Sequence, residues 1–279
     1  KKDMTILDGK ALAEKVKAEV RAEAERLKAA LAVVLVGEDP ASQIYVRGKE
    51  RDCGECGIQS FSHRIPAETT QAELLALLAE LNEDPKIDGI LVQLPLPGHL
   101  DTRQVLESIR PDKDVDCFHP LNVGKMTLGR EGFRPCTPAG VMELLAAYDI
   151  PVRGKRCVVI GRSSLVGQPL STLLTQADGT VSLCHSKTPD LAAYTREADI
   201  LVSAVGRTGL VTADMVKPGA AVIDVAMNRG PDGKLSGDVD FGPVSEKAAF
   251  ITPVPGGVGP MTRAMLMRSV LYAAKLHRE

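Results

Sequence analysis

The sequence predicts an α/β protein with two parallel-sheet domains. Short apolar runs, typical of buried parallel strands, alternate with longer segments in which apolar residues recur every three or four positions. The chain of 279 residues is long enough to form two hydrophobic cores. The alternation stops once, between residues 110 and 138, in a stretch rich in Pro, Gly and Cys, and then resumes. We therefore place the domain boundary near this stretch.

Helical and strand patterns alternate through the first half of the chain. The elements predicted there are helix 8–28, strand 31–36, helix 42–56, strand 58–65, helix 70–82 and strand 89–93. Helices that connect successive strands in this way cross over the sheet, so the strands should run parallel.

A second α/β series follows the interruption. Its predicted elements are helix 138–148, strand 156–160, helix 168–176, strands 180–184, 200–204 and 220–225, a short apolar strand at 248–251, and a final helix over 261–276. Residues 231–233 read Pro-Asp-Gly, a turn signal between two short runs, so a hairpin is expected within residues 228–240.

Composition excludes several classes of function. The net charge of −2 supplies no positive field for nucleic acid, and with 3% aromatic residues and no Trp the chain lacks base-stacking platforms. No apolar run reaches about 18 residues, and the polar start does not resemble a signal peptide. These features predict a soluble, cytoplasmic protein that binds neither nucleic acid nor membrane.

The six cysteines are expected to be free thiols, because no secretory signal accompanies them. Cys53 and Cys56 form a C-x-x-C motif, which could be redox-active or half of a zinc site. No second pair of Cys or His follows at a suitable spacing, and the motif ends a helix instead of following a strand. The sequence therefore predicts no metal site.

Residues 158–167 have the pattern of a strand, a tight turn and the start of a helix. Gly161 permits the turn, Gly167 allows close packing, and the helix N-terminus offers free amides to a phosphate. These are the properties of a dinucleotide-binding loop. Ser163 replaces the middle Gly of the usual G-x-G-x-x-G pattern, so a plain strand–helix turn remains an alternative.

The following strand ends in Cys-His-Ser-Lys-Thr at 184–188 and lacks the acidic residue that would bind a ribose 2′-hydroxyl. Arg162, Ser186 and Lys187 offer positive charge and hydrogen-bond donors instead. This combination favours a 2′-phosphate, and hence NADP over NAD.

The run TPVPGGVGPMT at 252–262 combines three prolines with three glycines. Proline fixes the backbone, whereas glycine removes side chains and admits unusual φ angles. The run follows a short strand, where α/β proteins bind ligands. It predicts a loop that lies close to a flat ligand, although a surface turn is the simpler alternative.

Polar residues of the first half converge on predicted strand ends. Tyr45 and Lys49 lie four apart on one helix face, Gln93 ends a strand, and residues 111–116 supply carboxylates. Singly, each has an ordinary structural explanation as a core residue, a solvated charge or a strand terminus. Together they predict a catalytic cluster in which Gln93 both donates to and accepts from its neighbours.

Over nearly its whole length the chain resembles the bifunctional methylenetetrahydrofolate dehydrogenase/methenyltetrahydrofolate cyclohydrolase family. The resemblance rests on a series of motifs in the family order. They are S-x-x-Y-V-x-x-K (42–49), VQLPLP (92–97), P-x-K-D-V-D (111–116), RPCTPAG (134–140), GRSSLVGQP (161–169), CHSKT (184–188), GDVDF (237–241) and TPVPGGVGPMT (252–262).

The resemblance implies roles for individual residues. Lys49 would be the catalytic lysine of the cyclohydrolase step, Tyr45 would stack on the folate, Gln93 would hydrogen-bond the lysine, and Asp116 would bind the amino-pyrimidine edge of the pterin. The remaining implied folate contacts are Leu94, Pro95, Pro255, Gly256 and Gly257. The implied NADP contacts are Gly161, Arg162, Ser163, Ser186, Met227 and Thr262.

The resemblance also implies an arrangement of domains. Residues 1–137 and the C-terminal helix 261–279 would form the folate-binding catalytic domain, and residues 138–260 a Rossmann-type NADP-binding domain. Tetrahydrofolate one-carbon derivatives would bind in the cleft between them. A homodimer, formed through the cofactor domain, is implied in the same way.

The chemistry agrees with these roles. Hydride loss from the methylene carbon gives a conjugated cation and needs no general base, so that step requires mainly positioning. Water attack on the methenyl cation requires proton removal, which a neutral lysine can perform. Desolvation beside a cationic substrate is expected to lower the lysine pKa.

The chain departs from the family pattern at several positions, including Cys117 and Ala226, where the family usually has Gly. A side chain at 117, next to Asp116, could restrict the backbone beside the pterin. Two other functions remain open on the sequence alone. They are a dehydrogenase of another small substrate on a similar frame, and a nucleotide-sensing module without catalysis.

Overall fold

The computed structural model describes residues 4–278, which divide into two compact units. One comprises Glu14–Cys136 and the segment from Arg263 onward; we call it the three-stranded unit after its sheet. The other, the six-stranded unit, comprises the segment up to Ala13 together with Thr137–Thr262.

The elements follow one another in chain order. The strands are β1 (Thr5–Ile6), β2 (Ala30–Val36), β3 (Gln59–Ile65), β4 (Gly89–Val92), β5 (Arg156–Ile160), β6 (Thr180–Cys184), β7 (Ile200–Ser203), β8 (Ala221–Asp224), β9 (Asn228–Arg229), β10 (Leu235–Ser236) and β11 (Phe250–Ile251). The helices are α1 (Gly9–Leu27), α2 (Pro40–Glu55), α3 (Gln71–Glu83), α4 (Thr102–Ser108), α5 (Pro120–Thr127), α6 (Cys136–Ala147), α7 (Gly167–Gln176), α8 (Leu191–Thr195), α9 (Phe241–Ser245) and α10 (Val258–Arg278).

The three-stranded sheet is parallel, with β2 between β3 and β4. Every residue of β2 is buried, which explains its uninterrupted apolar sequence. The chain passes from β2 to β3 on one side and then returns to place β4 on the other side. Such a reversal of strand order leaves a crevice at the carboxyl ends of the two strands where it occurs, here β2 and β4.

The six-stranded sheet is also parallel, in the order β1-β11-β8-β7-β5-β6. Its central strands β5, β7 and β8 are buried almost throughout. Strand order reverses at β5, which has β6 on one side and β7 on the other. The predicted α/β class with a Rossmann-type domain is thus confirmed, and β9 with β10 form the expected antiparallel hairpin.

The six-stranded unit includes the start of the described chain, whereas the family resemblance implied that this segment belongs to the catalytic domain. β1 pairs with β11, and the Leu7 amide donates to the Ile251 carbonyl at 2.8 Å. A strand of two residues has too little periodicity to be predicted, and its partner lies about 245 positions away, so local patterns give no signal for this pairing.

Helices α4 and α5 were not predicted from the sequence. Both are short and owe their starts to capping: the Asp101 carboxylate accepts from the Gln104 amide at 3.1 Å, and the His119 ring accepts from the Leu121 amide at 3.1 Å. Pro120 at the first position of α5 also favours a helix start. These caps, not hydrophobic spacing, were the available signals.

All six cysteines are free and buried. Burial raises the pKa of both Cys53 and Cys56 to about 12, so neither thiol of the C-x-x-C motif supplies an appreciable amount of thiolate. Among residues 4–278, no helix combines the length and apolar character that a membrane span requires. The same residues contain no group of three or more His, Cys, Asp or Glu side chains placed to hold a metal ion.

Candidate functional site

Lys49 and Gln93 meet at the strand-order reversal of the three-stranded sheet. The Lys49 Nζ donates a hydrogen bond of 3.0 Å to the Gln93 Oε1. Gln93 directly follows β4, and its own amide nitrogen Nε2 donates to the Leu94 carbonyl at 2.8 Å. Because Gln93 is buried and its Nε2 is occupied, its oxygen is held toward the lysine amine. The two predicted residues are therefore brought together.

Helix α2 places Lys49 above this crevice. The Asp39 carboxylate caps the helix by accepting from the Ser42 amide at 2.8 Å, and Pro40 occupies the first turn. Tyr45, one turn before Lys49, is 41% exposed. Tyr45 is thus not a core residue, and its ring is accessible to a ligand.

Asp116 is half-buried in the same unit. Desolvation raises its pKa to about 6, the nearby charge of Lys49 opposes this shift, and Asp114 adds to it. Lys49 and Asp116 therefore lie within electrostatic reach of each other. The site combines an amine, a neutral amide and a carboxyl group whose pKa is raised to about 6.

The other carboxylates of residues 111–116 have structural partners. Asp114 is buried and accepts from two backbone amides and from Asn122 Nδ2 at 2.8 Å. Asp112 forms a bidentate ion pair with Arg110. Only Asp116 of this acidic run is available as a site residue.

Cys117 adopts a left-handed φ of +60°, the region that favours glycine. Its buried thiol donates to the Phe133 carbonyl at 3.3 Å, which offsets part of the strain. The departure from the family glycine is therefore accommodated without changing the left-handed backbone beside Asp116.

The loop before α10 belongs to the six-stranded unit. Gly256 has φ of +99°, and its carbonyl accepts from the Lys10 amide at 3.1 Å. A side chain on Gly9 would lie 1.7 Å from the Gly257 carbonyl oxygen, so the loop packs directly on the start of α1. The peptide bonds preceding Pro95 and Pro255 are both cis. The folate contacts predicted for Leu94, Pro95, Pro255, Gly256 and Gly257 stay predictions.

A cavity of about 470 Å³ lies at the strand-order reversal of the six-stranded sheet. It is lined by Ile160, Gly161, Arg162, Ser163, His185, Ser186, Thr188, Leu191, Ala204, Val205, Arg207 and Leu210. Four of the six predicted cofactor contacts thus share one cavity. Its position outside the carboxyl ends of β5, β6 and β7 is where this type of sheet binds nucleotides.

Two glycines shape the cavity wall. Gly161 has φ of +111°, and a Cβ there would lie 2.4 Å from the Ala204 carbonyl oxygen. A Cβ on Gly167 would lie 1.8 Å from the Gly161 carbonyl oxygen. The turn after β5 and the start of α7 therefore touch backbone to backbone, as the sequence predicted.

The start of α7 offers only part of the usual anion-binding site, because the Gln168 amide already donates to the Ser163 carbonyl at 3.0 Å and Pro169 has no N–H. The N-cap residue of α7, Val166, provides no side-chain cap, although its own amide donates to the Ser163 Oγ at 3.1 Å. Exposed Arg162 and Arg207 add positive charge to the lining. Ser186 also lines the cavity, whereas Lys187 does not belong to its described lining.

Met227 and Thr262 lie outside the described cavity lining. Met227 is 38% exposed, and a Cβ on Gly259 would lie 3.1 Å from its Sδ. The Thr262 hydroxyl hydrogen-bonds the Thr137 hydroxyl at 2.9 Å. Their predicted contacts with the cofactor stay predictions.

Several residues at the cavity had no role predicted from the sequence. His185, Val205 and Arg207 line it, and the buried Asp238 binds the backbone of the Val205–Arg207 loop. The available signal was the GDVDF motif, which supports the family resemblance but had no predicted function of its own.

We expect Gly161→Ala to weaken NADPH binding about tenfold, because the new Cβ would push the turn away from Ala204 and narrow the cavity. NADPH fluorescence titration would measure this loss. Gly154→Ala is a matched control, since Gly154 also has positive φ (+74°) but has open space around its Cβ position. Equal affinity in the two variants would contradict the steric explanation.

Two family models match the chain. The catalytic domain of tetrahydrofolate dehydrogenase/cyclohydrolase matches residues 7–116, and the NAD(P)-binding domain of the same enzyme matches residues 135–278. A curated relative from Magnetococcus marinus, "Bifunctional protein FolD", is 56% identical over 276 residues, which cover 97% of each chain.

Solved structures give the same result. The bifunctional FolD enzyme of Campylobacter jejuni is 53% identical, with a TM-score of 0.96, and the match covers 98% of this chain and 99% of that one. The Trypanosoma brucei methylenetetrahydrofolate dehydrogenase-cyclohydrolase, solved with NADP cofactor and an inhibitor, is 40% identical with a TM-score of 0.94, and the match covers 98% of both chains.

Proposed function

The chain belongs to the tetrahydrofolate dehydrogenase/cyclohydrolase family, and we propose that Lys49, Gln93 and Asp116 form its cyclohydrolase site. The observation that carries this proposal is the 3.0 Å hydrogen bond between Lys49 and the buried Gln93 at a strand-order reversal. The polarity of this pair is that of an oriented base, since the amide oxygen holds the amine without adding charge.

The protein is a bifunctional enzyme of one-carbon folate metabolism. It oxidises 5,10-methylenetetrahydrofolate to 5,10-methenyltetrahydrofolate with NADP and hydrolyses the product to 10-formyltetrahydrofolate. NADP, when bound, accepts the hydride that leaves the methylene carbon. The described cavity fits this cofactor because it joins a glycine turn and two arginines at the strand-order reversal.

The proposed site residues divide the hydrolytic step between them. The Asp116 carboxylate binds the amino-pyrimidine edge of the pterin, and the exposed ring of Tyr45 stacks on the folate. Water adds to the methenyl carbon, and Lys49 serves as the base that takes the proton that the water loses. The carbon–N5 bond then breaks as the added hydroxyl loses its proton, N5 takes up a proton, and the one-carbon unit remains as a formyl group on N10.

The cofactor assignment has a direct experiment. With methylene-tetrahydrofolate and NADP, absorbance at the reduced nicotinamide band should rise, and the rise with NAD at equal concentration should be smaller. The physical reason is the charge of Arg162, which favours a 2′-phosphate over a hydroxyl. Cofactor binding without any rise in absorbance would contradict dehydrogenase activity.

We further propose a homodimer formed through the cofactor-binding domain, with the β9–β10 hairpin as part of its surface. The exposed turn of this hairpin and its two short strands leave backbone groups available for a second copy. Light scattering at micromolar concentration would test this, and a monomer would remove it. A cytoplasmic location is likewise a proposal, which cell fractionation would test.

A further inference from the structure

The side chain of Asp238 is an unusually well-bonded buried carboxylate. It is fully buried in the six-stranded unit, and its carboxylate accepts from five donors. The donors are the Ser203 hydroxyl (2.8 Å), the amides of Val205 (2.9 Å), Gly206 (3.4 Å) and Arg207 (2.6 Å), and the Asn228 Nδ2 (3.4 Å). Three consecutive backbone amides thus converge on one anion.

These donors belong to the wall of the cofactor cavity. Ser203 ends β7, and the loop that follows it contributes Val205 and Arg207 to the cavity lining. The side chains of both residues are exposed, so packing alone does not hold the loop. Its described hydrogen bonds to Asp238 fix the direction in which Val205 and Arg207 face.

A second buried carboxylate holds Asp238 in place. Asp224, at the end of β8, accepts from the backbone amides of Asp238 (3.1 Å) and Val239 (2.9 Å). A Cβ on Gly237 would lie 1.9 Å from the Asp224 Oδ2, so only glycine fits before Asp238. The Gly-Asp pair of the GDVDF motif therefore has a structural explanation. The Asp224 carboxylate binds the backbone of this motif, and the Asp238 carboxylate binds the cavity loop.

We propose that Asp238 is the positioning residue of the cofactor site, and that its carboxylate holds the Val205–Arg207 loop in the conformation that binds NADP. This proposal rests on the proposed function of the cavity. A negative charge would ordinarily repel a cofactor phosphate, but full burial and five donors direct this charge to the loop backbone. Because the Arg207 amide donates to this carboxylate, Asp238 holds the backbone of Arg207 where its residue lines the cavity.

The test is Asp238→Asn, which keeps the shape of the side chain. An amide offers one acceptor oxygen and places an NH₂ group against backbone donors, so the loop must rearrange. We expect the Kd for NADPH, measured by fluorescence titration, to rise about tenfold or more. The KM for NADP should rise similarly while kcat changes little, and amide exchange at residues 205–207 should become faster.

Asp240→Asn is the matched control. Asp240 is exposed, makes no capping hydrogen bond with its side chain, and lies two positions from Asp238. It should bind NADPH as the wild type does. Cyclohydrolase activity should persist in both variants because Lys49 lies in the three-stranded unit, and this persistence separates a local effect from global unfolding.

Ser203→Ala and Asn228→Ala cover the case in which Asp238→Asn does not fold. Each removes a single donor, and each should raise the NADPH Kd about threefold. A folded Asp238→Asn enzyme with the wild-type Kd, or wild-type Kd values in both single-donor variants, would overturn the positioning role. Failure of the wild type to bind NADPH would instead overturn the cofactor assignment.

Discussion

Lys49→Met should reduce cyclohydrolase activity by about 10²–10⁴-fold while leaving part of the dehydrogenase activity. Met has nearly the length of Lys but no amine, so Gln93 would lose its partner and water would lose the base that takes its proton. Hydride loss produces a cation without proton removal, so oxidation does not need the amine. Stopped-flow measurement of methenyl-tetrahydrofolate decay, beside the absorbance assay for oxidation, would separate the two activities.

Lys86→Met is the matched control for this experiment. Lys86 is an exposed lysine of the same unit. Its substitution removes one positive charge from this unit, as Lys49→Met does, but leaves the Lys49–Gln93 pair in place. It should leave both activities near wild type. Hydrolysis that is undiminished in Lys49→Met would refute the role of Lys49 as the base, whatever the control shows.

The fold was predictable where burial of an element requires a recognisable pattern of apolar residues in the sequence. β2 and β5 are short and apolar because they are buried on both faces, and the carboxyl ends of such strands were expected to carry the site residues. β1 and the short helices α4 and α5 escaped prediction because they depend on distant pairing and on single capping contacts. Strand order, which creates both crevices, is likewise not a local property.

Candidate site residues could be predicted only where the side chain itself has a distinctive chemistry, such as an amine, an amide or a carboxylate. The Lys49–Gln93 pair, which joins positions 44 apart, followed from two strand-end motifs and from family resemblance. Asp238 was missed because its donors lie 31–35 and 10 positions away and are mostly backbone amides, which have no sequence signature. Within residues 111–116, residue type and position alone did not distinguish Asp116 from Asp114. The family resemblance singled out Asp116, and the tertiary contacts show that Asp114 is already hydrogen-bonded.

Asp116→Asn should raise the KM for methylene-tetrahydrofolate in the oxidation, and the KM for methenyl-tetrahydrofolate in the hydrolysis, about 10–100-fold at neutral pH. A carboxylate accepts two hydrogen bonds from the amino-pyrimidine edge, and charged hydrogen bonds contribute about 1.5–3 kcal/mol. An amide retains one acceptor and turns an NH₂ group toward a donor. Steady-state kinetics at saturating NADP would measure the change.

The same variant should remove a pH dependence. Desolvation raises the pKa of Asp116 to about 6, so the free enzyme holds the binding carboxylate above pH 6 and loses it as the pH falls through 6. Wild-type folate KM should therefore rise on acidification, about tenfold for each pH unit below 6. The Asn variant, which has no proton to gain at this position, should show a flat profile over the same range.

Asp112→Asn provides the control for this pH profile. Partial burial opposes ionisation of Asp112, but its ion pair with Arg110 outweighs this effect and lowers the pKa, so Asp112 stays charged throughout the window. Replacement of Asp112 should leave the pH dependence of the folate KM as it is in the wild type. A folate KM that still rises below pH 6 in Asp116→Asn would assign the titration to another group. Such a result would also show that the Asp116 carboxyl group does not control pterin binding.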